Sequence, residues 1–118
     1  MTEKKDKGDF GEQRAQAYLR GCGYEILTVN WRHKHVEADI IMKDGDVLVF
    51  VEVKTRSSLR YGYPEESVNY AKQKNLVRLA NVYLAKYGHE GEIRFDIVSI
   101  ISEDEVSIEH IKDAFWHY

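Results

Sequence analysis

VLVFVEVKTR, residues 47–56, decides the fold. Val47, Leu48, Val49, Phe50, Val51 and Val53 are apolar, and most are β-branched or aromatic, the composition of a buried strand. Glu52 and Lys54 interrupt the run two residues apart, so they share one face. A charged group in a buried strand costs roughly 1–3 kcal/mol even when partly compensated, so each demands a partner.

Working outward, VEADIIMK (36–43) reads as a second strand and YEILTVNWR (24–32) as another. Asp44–Gly45 is a two-residue hairpin signal. With those two as the turn, Lys43 pairs with Asp46, Asp39 faces Phe50 and Glu37 faces Glu52. Residues opposite each other in a strand pair point to one side. Glu37 and Asp39 therefore share a face with Glu52 and Lys54, and Asp39 and Glu52 become diagonal neighbours that one cation can bridge. A three-residue turn would reverse this parity.

A first helix is expected from about Asp9 to Gly21, with Ala15, Tyr18, Leu19 and Cys22 as its apolar stripe and Gly21 and Gly23 as stop signals. Glu12 falls on or beside that stripe, and residues 1–7 read as a loose tail. SSLRYGYP (57–64) is a loop, and Pro64 with the two glutamates after it suits a helix start. That second helix is expected to run to Tyr87 and end at Gly88, with Val68, Leu76, Leu79, Ala80, Tyr83 and Tyr87 as its stripe. Lys72 falls on the same seam, four residues from Val68 and from Leu76. IRFDIVSII (93–101) is a central strand and VSIEHI (106–111) an edge strand.

The order αβββαββ predicts an antiparallel meander, then a right-handed crossover that makes the third and fourth strands parallel. The expectation is a single α/β domain over residues 1–118, a mixed sheet flanked by helices. The net charge of −3 argues against a protein that coats nucleic acid by bulk electrostatics, but leaves room for an enzyme that grips a few phosphates. No apolar run is long enough for a membrane span, and the charged N-terminus lacks a signal-peptide core. Cys22 is the sole cysteine, which excludes an internal disulfide and fits a cytoplasmic setting.

Glu12, Asp39, Glu52 and Lys54, with Lys72 as a fifth, are thus expected to converge. Like charges this close cannot all ionise unaided. Either the lysines neutralise the carboxylates in a structural network, or a divalent cation such as Mg²⁺ does, since hard cations favour oxygen ligands. Two carboxylates, a metal and an adjacent lysine suit phosphodiester hydrolysis: the metal polarises a phosphate oxygen, and the lysine orients water or offsets charge. Arg56 and Arg60, after the third strand, are candidate phosphate contacts, while Tyr61 and Tyr63 are read as packing that loop. Glu37 reads as a solvated strand-start residue and Asp96 as a structural partner of Arg94. His33 and His35 are read as sharing one side of a strand, with too few companions for zinc.

Asp39 followed by Glu52–Val53–Lys54, on this element order, resembles the Asp and Glu-x-Lys of the PD-(D/E)XK, or restriction-endonuclease-like, nuclease superfamily, whose core is αβββαβ. More narrowly, GDFGEQRAQAYL (8–19), GYEILTVNWR (23–32), VEADII (36–41), VFVEVKTR (49–56), YGYPEESV (61–68) and RFDIVSI (94–100) resemble the YraN-like family of small bacterial proteins. The helix Glu before this motif is also similar to archaeal Holliday-junction resolvases. The resemblance implies that Asp39 and Glu52 hold Mg²⁺ or Mn²⁺, with the Val53 carbonyl as a further ligand. It implies that Lys54 positions the water and that Glu12 is a supporting or second-metal carboxylate. One departure stands out: the family has Gly-Glu-Ile-Asp where this chain has Val36–Glu37–Ala38–Asp39.

The functional expectation is a metal-dependent endonuclease that hydrolyses DNA phosphodiester bonds, in branched or single-stranded DNA, with Arg56, Arg60 and Lys72 on the nucleic acid. The alternative is a non-catalytic nucleic-acid-binding or protein-binding module on the same fold. In a third reading the buried charges only specify the core. A domain this small that must engage two strands is expected to act as a symmetric homodimer.

Overall fold

The computed structural model describes residues 3–58, 68–102 and 105–115, with side chains from residue 10 onward. Its elements are α1 (Glu3–Gly21), β1 (Glu25–His33), β2 (Val36–Asp44), β3 (Val47–Arg56), α2 (Tyr70–Tyr87), β4 (Ile93–Ile101) and β5 (Ser107–Ile111). Alternation along β3 feeds two apolar clusters at once. Leu48 and Phe50 point to Leu76, Leu79, Ala80 and Tyr83 of α2. Val49 and Val51 point the other way, to Ala15 and Leu19 of α1. Each fully buried side chain of this kind contributes about 1.5–3 kcal/mol, so β3 is anchored from both sides.

The sheet has five strands in the order β1-β2-β3-β4-β5. Only β3 and β4 run parallel, in the register Leu48 with Ile93 through Arg56 with Ile101; the other pairs are antiparallel. This is the expected mixed α/β sheet flanked by helices. Edge-to-face contacts of Tyr83 with Trp31 and Phe50 tie α2 across β1 and β3. Such pairs add about 0.5–1.5 kcal/mol each beyond burial.

Several boundaries differ from expectation. The β2–β3 ladder pairs Asp44 with Val47 and Lys43 with Leu48, so the turn is Gly45–Asp46 and not Asp44–Gly45. Gly45 takes φ +59, and Asp46 is not among the positive-φ residues, the pattern of a type II′ turn, whose first central position favours glycine. Asp44 stays in the ladder, and its carboxylate accepts from Arg94 Nη1 at 2.8 Å. A one-residue slip of the turn moves partners by two, so the face parity holds as far as Ile40; beyond it the alternation breaks, Ala38 packs on the α2 side, and Glu37 is turned to the α1 side, away from the expected common face with Glu52 and Lys54. The ladder stops at Ile40 with Val51, so Asp39 and Glu52 are not ladder partners, but the Glu52 charge still acts on Asp39.

The β1–β2 connection is Lys34–His35, with Lys34 at φ +57. His33 ends β1 and His35 lies in the turn, so they do not alternate along one strand. Helix α1 begins at Glu3, well before Asp9, and takes in most of the stretch read as a tail. Helix α2 begins only at Tyr70, because Asn69 caps it: its extended backbone turns Oδ1 onto Lys72 N at 3.0 Å. The expected start at Pro64 lies outside the described residues, as do Arg60, Tyr61 and Tyr63. Within β4, buried Asp96 accepts from Arg94 Nε at 2.8 Å and from the Asp113 backbone N–H at 3.0 Å. His110 Nε2 lies 2.7 Å from its other oxygen. Asp96 is structural, as read, with His110 and Asp113 as added partners that tie β5 and the chain beyond it to β4.

Candidate functional site

The site forms where β2 parts from β3 while staying paired with β1. The β2–β3 ladder ends at Ile40 with Val51. Beyond it alternation breaks: Ile40 packs on the α1 side while Ala38 packs on the α2 side. Asp39 lies at that break, and its Oδ2 accepts the Val53 backbone N–H at 2.7 Å. The neighbouring strand bends with it, since Asn30, between the pairs Val29–Ile40 and Trp31–Ala38, adopts φ +53. Asparagine tolerates that left-handed conformation better than most side chains.

Helix α1 supplies Glu12 from its buried side. A Cβ built on Gly11 would overlap Thr55 Oγ1, so only glycine lets α1 lie this close to β3. Oxygens of Glu12, Glu37 and Asp39 all lie within 4.8 Å of one another. With its amide nitrogen toward the carboxylates, Asn30 donates to Glu37 Oε1 at 3.0 Å and to Glu12 Oε1 at 3.2 Å. Glu37 also pairs with exposed Arg32 at 2.9 Å.

Glu52 carries the opposite half. Its side chain is only 5% exposed, and Oε1 receives Lys72 Nζ at 2.6 Å and Lys54 Nζ at 3.4 Å. Its second oxygen, Oε2, is buried and has no hydrogen-bond partner among the described residues. A buried, unpaired carboxylate oxygen is expensive and calls for a cation or a proton.

The electrostatics follow from this crowding. Burial, then the Glu52 carboxylate, then that of Glu12 push the Asp39 carboxyl up to about 8, against the pull of the Val53 N–H and Lys54. Burial and the neighbouring Lys72 hydrogen bond and charge lower the Lys54 ammonium, with Glu52 opposing. Burial works against Lys72 as well, but its hydrogen bonds to Glu52 and Lys54 and the charges of Glu52 and Asp39 together more than offset that, and its affinity for the proton rises.

A cleft of about 440 Å³ opens over these groups, lined by Arg32, His35, Glu37, Asp39, Glu52 and Lys72 among others. The five residues expected to converge do so: Asp39 feels Glu12, Glu52 and Lys54 directly, and Lys72 closes on Glu52. Arg56 is exposed at the end of β3 and donates to the Thr55 carbonyl at 3.1 Å, away from the carboxylates' ion pairs. Glu37 is the revision. It is half-buried, paired with Arg32 and within reach of Asp39, and not simply solvated. Gly11 and Asn30 were not among the expected site residues. The sequence signal for Gly11 was a helix-interior glycine next to Glu12; for Asn30 there was none short of the strand register.

The donor set suits a hard divalent cation. All the charged donors are carboxylates, one of their buried oxygens has no partner among the described residues, and Asp39 has its carboxyl raised by burial and by other carboxylates.

Residues 11–100 match the sequence profile described as "Uncharacterised protein family UPF0102". A UPF0102 protein of Flavobacterium psychrophilum is 44% identical, covering 100% of both chains. One from Persephonella marina is 44% identical over 92% of each chain. Another from Bacteroides thetaiotaomicron is 43% identical over 98% of this chain and 97% of its own. At these identities, and with matches that run the length of both partners, the chain belongs to UPF0102, the YraN-like family.

Proposed function

We propose that this protein is a metal-dependent nuclease that hydrolyses DNA phosphodiester bonds, with single-stranded or branched DNA as its substrate. The observation that carries this reading is the buried Oε2 of Glu52, which has no hydrogen-bond partner among the described residues, together with Asp39, whose carboxyl is raised to about 8 by burial and by the Glu52 charge. Asp39, Glu52 and the Val53 carbonyl would hold Mg²⁺ or Mn²⁺, which supplies Lewis acidity toward a phosphate oxygen. Lys54, held on a rigid strand with its ammonium pKa lowered, orients the attacking water by hydrogen bonding and faces the charge that builds on the phosphate. Glu12, tied to Glu37 by Asn30, would be a supporting or second-metal carboxylate beside Asp39. Arg32 and Lys72 line the cleft, and Arg56, with Arg60 beyond it in sequence, extends the phosphate contacts along the strand. Two copies of the chain, paired about a two-fold axis, present two such clefts to a substrate with two strands, in a cytoplasmic setting.

The rival reading, a module that binds nucleic acid or protein without cutting, draws on the fact that Lys54 and Lys72 already neutralise one oxygen of Glu52. A labelled panel of single strand, duplex, flap and four-way junction, incubated with Mn²⁺ or Mg²⁺, separates them. The nuclease reading expects cleavage that stops in EDTA. Binding without cleavage, unchanged by EDTA, would establish the module instead.

A further inference from the structure

Lys72 and Lys54 meet the same oxygen of Glu52 but are held differently. Lys54 stands on β3, two residues from Glu52, and its side chain is 19% exposed. Lys72 reaches down from the first turn of α2, and its side chain is 36% exposed. It also lines the cleft shared with Arg32, His35 and Asn75. Its ammonium at 2.6 Å is the closest charge on Glu52, yet its stem leaves it access to anything that enters the cleft. An ammonium seated on one oxygen of a carboxylate repels a dication approaching the other.

Building on the nuclease reading, we propose that Lys72 is a gate: it occupies Glu52 until a backbone phosphate in the cleft draws its ammonium away, so that the divalent cation and the nucleic-acid strand bind cooperatively. The free energy that Lys72 gains from Glu52 is lost to the first ligand and not charged to the second. Linkage makes the effect reciprocal, so each ligand tightens the other by one common factor. A chain working by this gate would hold its metal weakly until substrate arrives.

The test is Mn²⁺ affinity, measured by calorimetry on the full chain, alone and with a saturating single-stranded oligonucleotide whose linkages are nuclease-resistant phosphorothioates. Wild type is expected to bind Mn²⁺ about 5- to 100-fold more tightly with the strand present. Lys72→Met should bind Mn²⁺ about tenfold more tightly than wild type without the strand, and should lose most of the coupling. Lys72→Arg should retain the coupling. Lys72→Gln, which keeps a hydrogen-bond donor for Glu52 without the charge, repeats the Met test if that variant fails to fold. If Lys72→Met or Lys72→Gln binds Mn²⁺ alone no better than wild type, or keeps the full coupling, the gate is wrong. Mn²⁺ binding that is lost in Asp39→Asn but indifferent to Lys72 would overturn the gate and leave the metal site standing. No Mn²⁺ binding by wild type even with the strand present, and none by Lys72→Met alone, would remove both.

Discussion

Asp39 joins two groups of charges, and its proton has a consequence for stability. The folded carboxyl titrates at about 8 against an ordinary value of 3.8. Between those values the folded chain holds a proton that the unfolded chain has released. Stability of the metal-free protein therefore falls as pH rises from about 4 to about 8, and is level above. Asp39→Asn removes the titration and can still accept the Val53 N–H through its amide oxygen. In EDTA, the variant is expected to exceed wild type by about 1–3 kcal/mol at pH 8, with the gap closing toward pH 4. Thermal melts across that range measure it, and a gap that did not change with pH would contradict the charge crowding described here. At this scale Asp39, Glu52 and Lys54 were legible because a charge in an apolar strand is a conspicuous exception. Glu37 was not, because its neighbours come from α1 and from a backbone irregularity at Asn30, neither of which periodicity reveals.

Among the elements, the seating of α1 on β3 determines where Glu12 lies. Gly11 faces Thr55 so closely that any Cβ must displace one of them. Gly11→Ala is expected to cost about 1–3 kcal/mol as overpacking and to lower cleavage at least tenfold by moving Glu12 off the acidic cluster. Thr55→Ala in the same chain should restore much of both. Gly21→Ala is the control: it lies at the end of the same helix, where a Cβ meets nothing within 4 Å, and should be neutral or stabilising. Denaturant melts and cleavage rates check this, and a Gly11→Ala protein with wild-type values for both would remove the close-seating account. The elements themselves were legible from hydrophobic period. Their ends were set by local contacts that a pattern does not encode. Asn69 capped α2 later than Pro64 suggested, and Gly45 took the first turn position because it accepts positive φ. The hairpin slip left the faces unchanged along the ladder, because a two-residue shift preserves which face a side chain occupies, while the break at Asp39 turned Glu37 toward α1.

For the whole molecule, the sheet works as a rigid plate that carries two charged clusters. In one, Asp96, Arg94, His110 and Asp44 form a satisfied network that ties β2, β4 and β5 together. At the other, β2 and β3 part, and a buried oxygen of Glu52 has no hydrogen-bond partner among the described residues. The layer order and the parallel β3–β4 pair were legible from the alternation of strand and helix signals. The cleft was not, since it depends on α2 lying across β1 through Trp31 and Tyr83, a long-range packing that no short stretch announces. The central claim is that Asp39, Glu52 and Lys54 act as one unit, and groups that do so are strongly non-additive. The most direct measurement is single-turnover cleavage of the best substrate by wild type, Asp39→Asn, Lys54→Met and the double variant, each checked for folding. Each single substitution is expected to slow cleavage by about 1000-fold, with the double variant scarcely slower. An Asp39→Asn protein that cuts at the wild-type rate would contradict the account.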